Sequence, residues 1–414
     1  MFDGPSSPQR LQAALATPDL RRLQLAWVCS ALGSWTLFVA LAVYAERHGG
    51  ATAVSLAALA RMLPAALAAP LSGLLCDRRA PASILLGGLV TRALLATALA
   101  AAAGSGAALG VVLVLAALFM ITETAHRPAQ AALLRELAPD AGQAGAAIAL
   151  WTGVDNAAFL GGSLIGGAVI AIAGVQAAFS TVAILCALAA IPMATLRRRA
   201  GAVQRRSQAF QGDGLRAAVD GLAHVARTPA LREVLGFLTA ATLVEGAVDV
   251  LVVVVAVSLL HLGDPGVGWL NAAWGLGGLL GGALALTLPS LRRDGAGAAT
   301  GGVLVGVSLM TVALLESTGA AVAMLVVLGV GYALIEAASL SVLHRDTLDD
   351  VLGRAFAVVE SGHWLATALG ALMAPVILAL LGPTGALWAL GACLPVIVAL
   401  RWRALARPPR LEFA

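Results

Sequence analysis

The chain has 414 residues, 60% of them hydrophobic and only 12% charged, which is too apolar for a single soluble core. Its 26 basic residues are all arginine. Without lysine the chain cannot by itself form a Walker A phosphate loop or a pyridoxal Schiff base. The net charge of +4 would suit nucleic acid, but the arginines flank apolar runs, so no nucleic-acid partner is expected.

A helix crossing a bilayer needs ~20 mostly apolar residues. The sequence predicts twelve such spans, at about 23–45, 53–75, 83–103, 108–130, 143–173, 177–196, 234–260, 266–289, 297–315, 320–341, 354–381 and 385–400. The expected fold class is therefore all-α polytopic membrane protein. The first apolar run is longer than the 7–15-residue core of a cleaved signal peptide, so none is expected. With the N-terminus inside, every arginine except Arg47, Arg61, Arg92 and Arg127 falls on the cytoplasmic side. That asymmetry places both termini in the cytoplasm and the chain in the cytoplasmic (inner) membrane.

The expected organisation is a cytoplasmic segment 1–22, a six-helix bundle 23–196, a cytoplasmic linker 197–233, a second six-helix bundle 234–400 and a short tail 401–414. Within the linker, Leu215, Val219 and Leu222 recur at helical spacing beside Arg216, Asp220 and Arg227, which predicts a helix lying in the membrane plane. The outer connections Gly104–Gly106, Gly174–Gln176 and Gly382–Gly385 are only a few residues long. The halves also repeat one another. Leu134 to Asp140 lines up with Leu343 to Asp349, and the same spacing sets Gly161 against Gly370. A parallel repeat of six spans is the plan of transporters in which one half rocks against the other.

After span two the chain reads Gly73-Leu-Leu-Cys-Asp77-Arg78-Arg79-Ala80-Pro81. This resembles the loop motif G-x-L-a-D-R-x-G-R-K of the major facilitator superfamily, with Ala80 in place of the second glycine and Pro81 and Ala82 in place of the closing basic pair. Gly162-Ser-Leu-Ile-Gly166-Gly167 is similar to the antiporter motif G-P-x-x-G-G, with Ser163 for proline. The run from Arg127 to Pro139 resembles the span-four exit of the drug and siderophore exporter branch, the macrolide-efflux and enterobactin-exporter types. The resemblance implies two pseudo-symmetric six-helix halves and a secondary transporter rather than an enzyme. It further implies proton-coupled efflux of a small amphipathic molecule by alternating access. A uniporter or importer of the same fold, or a non-transporting sensor subunit, is the alternative. The expected partners are the small-molecule substrate, protons and lipid, with the protein a monomer. In such proteins Gly73, Asp77, Arg78 and Arg79 form a latch on the inward-closed state. An ion pair there can bias a two-state equilibrium by a few kcal/mol; a loop charge that only sets topology is the alternative.

A charge at the bilayer centre costs on the order of 2.5–3.5 kcal/mol, so every ionisable group inside a span is a functional candidate. Span seven places Thr242, Glu245 and Asp249 on one helical face. Two carboxylates one turn apart in low dielectric do not both ionise comfortably, and a group that changes protonation within the membrane is what a proton carrier needs. A carboxylate facing a water-filled cavity is the other reading. In span five, Asp155 sits near mid-depth with Trp151 one turn away, and pairing with Arg61 or Arg92 is an equal alternative. Span four carries Glu123, His126, Arg127 and Gln130 as a polar stripe, in which Glu123 and Arg127 are expected to pair within the helix. Span ten adds Tyr332 and Glu336, and span eleven Glu360, His363 and Trp364.

The proton-coupling candidates are thus Glu245, Asp249, Asp155, Glu336 and Glu360, and the buried ion-pair candidates Arg61, Arg92, Glu123 and Arg127. Glu123-x-x-His126 and Glu360-x-x-His363, with Glu245 and Glu336, also have the ligand types of a di-iron bundle. Intramembrane His and Glu more often serve proton relays, and no metal or other cofactor is expected. Trp35, Phe38, Trp151, Trp269, Trp274, Tyr332 and Trp364 are candidates to line a substrate cavity. Trp27, Trp388 and Trp402 read as interfacial belt anchors.

Overall fold

The computed structural model describes residues 17–137, 141–200, 228–288, 295–346 and 349–405. Among these residues every regular element is helical. The helices are α1 (Pro18–Arg78), α2 (Pro81–Gly104), α3 (Leu109–Thr124), α4 (His126–Leu137), α5 (Ala141–Ala200), α6 (Pro229–Val254), α7 (Gly263–Thr287), α8 (Gly295–Leu315), α9 (Thr318–Asp346) and α10 (Asp349–Leu405). A π turn, Val255–Leu259, continues α6.

Three helices are far too long for one crossing: α1 has 61 residues, α5 60 and α10 57. At ~1.5 Å per residue each would run about 90 Å, against a hydrocarbon core of ~30 Å. Each is broken near its middle by glycine: Gly50 at φ 58° after Gly49, Gly174 at φ 80° and Gly382 at φ 69°. That left-handed backbone is open to glycine and costly for residues with a Cβ. Each of these helices is therefore two passes joined by one or two residues.

Span four departs from its prediction in the opposite way. It stops at Thr124 and restarts at His126, with Ala125 between. Pro128 has no N–H to offer the Thr124 carbonyl. Thr122 and Thr124 also turn their hydroxyls onto the carbonyls of Phe119 and Ile121, each at 2.7 Å, bonds that compete with the helical ladder. Counted this way, α1 to α10 make twelve passes. By length and apolarity alone eight helical stretches of the described residues can cross a membrane, three of them double passes, and glycine-rich α7 completes the set. Their outward faces are oily: Ile172, Leu380 and Leu400 are each more than three-quarters exposed. In a soluble protein such faces would drive aggregation; against lipid tails they carry no cost.

The chain divides into two compact units, Met1–His48 with Ala60–Phe210, and Gly49–Leu59 with Gln211–Ala414. In the first, Leu20, Leu23, Leu85, Leu89, Leu133, Leu134, Met193 and Leu196 close one core between α1, α2, α4 and α5. In the second, α6 packs on α10, α7 on α9, and α8 on both α9 and α10.

The two units use the same close contact. In the first, a Cβ on Gly162 would lie 2.7 Å from the Leu32 carbonyl oxygen and from the Trp35 Cβ, and the Thr36 hydroxyl donates to the Gly162 carbonyl at 3.1 Å. In the second, a Cβ on Gly370 would strike the Leu243 carbonyl, and one on Gly246 the backbone of Thr367. The fifth pass of each unit thus lies backbone-to-backbone on that unit's first pass, as small residues permit in membranes.

Two sequence expectations need comment. Trp27 is not an interfacial anchor: it is 3% exposed and packs with Ala31 and Ala158, because its face of the helix turns toward the fifth pass rather than outward. The predicted in-plane helix lies at residues outside the described ones, while Arg197 to Ala200, assigned to the linker, extend α5.

Candidate functional site: two polar clusters inside the helical units

Arg92 on α2 is fully buried in the first unit. Its guanidinium donates through Nη2 to His126 Nδ1 at 2.9 Å and lies over the Phe119 ring at 5.7 Å. Glu123 approaches Arg92 Nη1 at 3.6 Å and accepts a hydrogen bond from the Ser34 hydroxyl at 2.7 Å. Arginine has donors only, so His126 Nδ1 is the acceptor and its ring is the neutral Nε2–H tautomer. The same ring packs on Trp27 at 5.1 Å. The break at Ala125 sets this geometry, starting a new helix at the histidine.

Arg127 reaches Asp155 Oδ2 at 3.0 Å, and the Trp35 indole also hydrogen-bonds Asp155. Trp35 in turn packs on Phe159 at 4.4 Å and edge-on to Phe38 at 5.9 Å, while Arg61 stacks over Phe38 at 4.7 Å. Arg61, Arg92, Glu123, Arg127, Asp155, Trp35 and Phe38 therefore form one connected patch that includes the helix contact at Gly162.

The expected pairings are corrected. Glu123 goes to Arg92 and Ser34 rather than to Arg127, and Asp155 goes to Arg127 rather than to Arg61 or Arg92. Both changes follow from the interrupted helix, which rotates Arg127 out of register with Glu123. Sequence reasoning missed Ser34, Phe159 and Trp27 as members; none carries a signal that singles it out. His126 was visible, one turn from Glu123, but its role as acceptor for Arg92 was not.

In the second unit Glu245 interacts electrostatically with Asp249, one turn on, and with Glu336 of α9. Tyr332, one turn before Glu336, feels both Glu245 and Asp249 and stacks on Trp274 at 5.5 Å. Thr242 is not part of this group: its hydroxyl donates back to the Leu238 carbonyl at 2.8 Å. Trp269 is nearly half exposed whereas Trp274 is buried, and Trp364 packs on His363 at 5.8 Å. A small apolar recess lined by Val248, Leu251, Leu270 and Leu309 takes in none of the candidate aromatics. At the helix ends, Glu233 and Arg401 form a bidentate pair with distances of 2.5 and 3.0 Å.

The side chains of Gly73, Asp77, Arg78, Trp151 and Glu360 lie outside the described residues. Arg79 is exposed, and its N–H closes α1 on the Leu75 carbonyl at 3.1 Å. Gly166 packs on Val39 Cβ at 3.1 Å, and Gly167 is buried in the same helix. Among the described residues no group of three His, Cys, Asp or Glu side chains is arranged to hold a metal ion.

Twelve apolar passes, with the polar clusters above set among them, define a polytopic helical membrane protein. A family model described as the Major Facilitator Superfamily matches residues 24–350. The chain belongs to the major facilitator superfamily, whose members are secondary transporters. No curated protein gives a match. Among solved structures, a POT family transporter in complex with 5-aminolevulinic acid is 13% identical, covers 93% of this chain and 95% of its own, and has a TM-score of 0.75. A POT family transporter in complex with a thioalcohol-conjugated peptide is 13% identical, covers 93% and 96%, and has a TM-score of 0.73. At that identity the likeness is one of fold.

Proposed function

We propose that this protein is a proton-coupled exporter of a small amphipathic molecule, of the drug and siderophore branch. It works in the cytoplasmic membrane as a monomer with both termini inside, its halves 23–196 and 234–400 joined by a cytoplasmic linker. The feature that carries this reading is the electrostatic coupling of Glu245 to Asp249, one turn on, and to Glu336 of α9. Interacting carboxylates repel when all are ionised. Loading or releasing one proton therefore changes the charge of the whole cluster, and a conformational equilibrium responds wherever its two states bind that proton differently. Trp274 and Tyr332 give the cluster an aromatic wall, suited to an amphipathic cargo. Asp155 and Glu360 are secondary candidates for the coupling group. A second reading, carriage of a small polar zwitterion, draws on the cargo of the two similar structures and on the buried arginines of the first unit.

The test uses proteoliposomes loaded with a pH-sensitive dye, with an imposed pH gradient and a panel of amphipathic compounds, 5-aminolevulinic acid and short peptides. Gradient-driven flux of an amphipath, lost in Glu245→Gln or Asp249→Asn, is the expected result. Equal flux in all three proteins removes these carboxylates from the coupling step.

Asp77, with Arg78 and Arg79 at the cytoplasmic end of span two, is assigned the latch on one state. A bias of ~1.4 kcal/mol is worth tenfold in an equilibrium. Asp77→Asn is thus expected to lower flux by about tenfold while leaving membrane insertion, read by blotting of membrane fractions, unchanged.

A further inference from the structure

Trp35, Phe38 and Phe159 make an aromatic corner in the first unit. Trp35 lies on Phe159 at 4.4 Å and edge-on to Phe38 at 5.9 Å. The corner is fixed from behind, because Trp35 stands where the first and fifth passes touch. A Cβ on Gly162 would come within 2.7 Å of the Trp35 Cβ, and neighbouring Thr36 donates to the Gly162 carbonyl. Trp35 and Phe159 are still only half-buried, so part of each ring stays accessible. A surface held in advance takes up a flat ring without the cost of ordering its side chains.

The charges around this corner select its ligand. Aromatic faces and carboxylates both attract cations, and here both attractions are met by the protein's own arginines. The Arg61 guanidinium lies over the Phe38 ring at 4.7 Å. Asp155 accepts hydrogen bonds from Arg127 Nη2, at 3.0 Å, and from the Trp35 indole. A cationic ligand would have to displace an arginine before gaining anything. An anionic ligand meets the opposite situation. A guanidinium carries five N–H donors, more than the bond from Arg127 Nη2 to one oxygen of Asp155 takes up. The Arg127 side chain is 55% exposed and that of Asp155 28%, and charges inside a pass that keep this much surface face water or ligand rather than lipid tails. Because Asp155 bonds Arg127 and Trp35 at once, the guanidinium stands beside the indole.

We infer that this corner is a binding site for an aromatic carboxylate, whose ring lies against Trp35 and Phe159 and whose carboxylate takes charge-assisted hydrogen bonds from Arg127. The planar guanidinium fork matches a carboxylate in shape as well as charge, and Arg61 adds positive potential from the Phe38 side. The inference rests on the carrier reading above and narrows its cargo from amphipathic molecules at large to those with a flat ring and an acid group.

Binding at equilibrium tests it, with no gradient and no transport. The probes are three naphthalenes of closely similar shape: naphthoate, neutral naphthamide and cationic naphthylmethylammonium. Each is titrated calorimetrically into the full-length protein in lipid nanodiscs, with empty nanodiscs as the blank. Naphthoate is expected to bind about tenfold more tightly than the amide, the worth of one charge-assisted hydrogen bond, and the cation most weakly. The double variant Arg127→Gln, Asp155→Asn removes both charges of the pair and leaves the rings. It is expected to bring naphthoate down to the affinity of the amide, with the amide unchanged. A cation bound as tightly as naphthoate, a preference for naphthoate that survives in the double variant, or no binding of any probe overturns the inference. Should the double variant not fold, Phe159→Ala serves instead. It is expected to weaken naphthoate about tenfold through the lost ring contact, and an unchanged affinity overturns the inference equally. Failure of gradient-driven flux in vesicles would count against the exporter reading and leave these affinities as they are.

Discussion

Leucine in place of Gly370, or of Gly246, is expected to prevent the second unit from folding. A Cβ at Gly370 meets the Leu243 carbonyl and lies 3.0 Å from the Ala247 nitrogen, and one at Gly246 meets the Thr367 backbone. These neighbours are main-chain atoms in the middle of two helices, so no rotamer change makes room. Overpacking in a core that can relax costs ~1–3 kcal/mol. Parting two helix backbones also forfeits their shared dispersion contacts, so a loss of at least ~3 kcal/mol is expected. The measure is the monodisperse fraction in detergent and the thermal unfolding midpoint. Gly362→Ala in the same helix, with nothing within 4 Å of its Cβ, is the control and should behave as wild type. Because Gly162 makes the equivalent contact in the first unit, Gly162→Leu should fail in the same way. A stable Gly370→Leu protein would mean that the passes do not touch where the structure has them touching.

The second large effect is an asymmetry. Arg92→Met removes the cation and leaves Glu123 in a mostly buried place without its opposite charge. Stranding one member of a buried pair costs on the order of 3–5 kcal/mol. Glu123→Gln should cost markedly less, because Arg92 keeps His126 and the Phe119 ring and the amide can still meet Ser34. In the double variant, Glu123→Gln should recover part of what Arg92→Met loses. Unfolding midpoints of the four proteins form a double-mutant cycle. Equal losses for the two single variants, with no recovery in the double, would show a conventional salt bridge that needs both charges.

Much of the architecture was legible in the chain because it follows from one constraint. In lipid each pass must satisfy its own backbone, so length and apolarity mark the helices, and the corners fall where glycine does. Gly174 and Gly382 were read as outer connections and are the residues that leave helical geometry. The matching of Gly161 with Gly370 was readable as a repeat. That it marks a helix contact, with neighbouring Gly162 at the crossing, was not.

Side-chain partnerships were the illegible part. Periodicity says which residues share a face of one helix; it does not say how two helices are rotated against each other. Glu123 and Arg127, four apart, looked like an ideal in-helix pair until the interruption at Ala125 turned them to different partners. The partner of Arg92 is a histidine whose spacing signals nothing about α2. Trp27 looked like a surface anchor because apolar runs mark the membrane's extent, not which side of a helix faces lipid.

The wide turn at Val255–Leu259 has a consequence for how span seven can vary. A π turn holds one residue more than an α turn, and one residue is ~100° of rotation about a helix axis. This wide turn is the last of its pass: Leu260 to Leu262 leave helical geometry and α7 begins at Gly263. Everything before it, including Glu245 and Asp249, is phased by the contact with α10. Loss of a single residue from this stretch would leave the carboxylates where they are and be taken up at the end of the pass, in the short connection to α7.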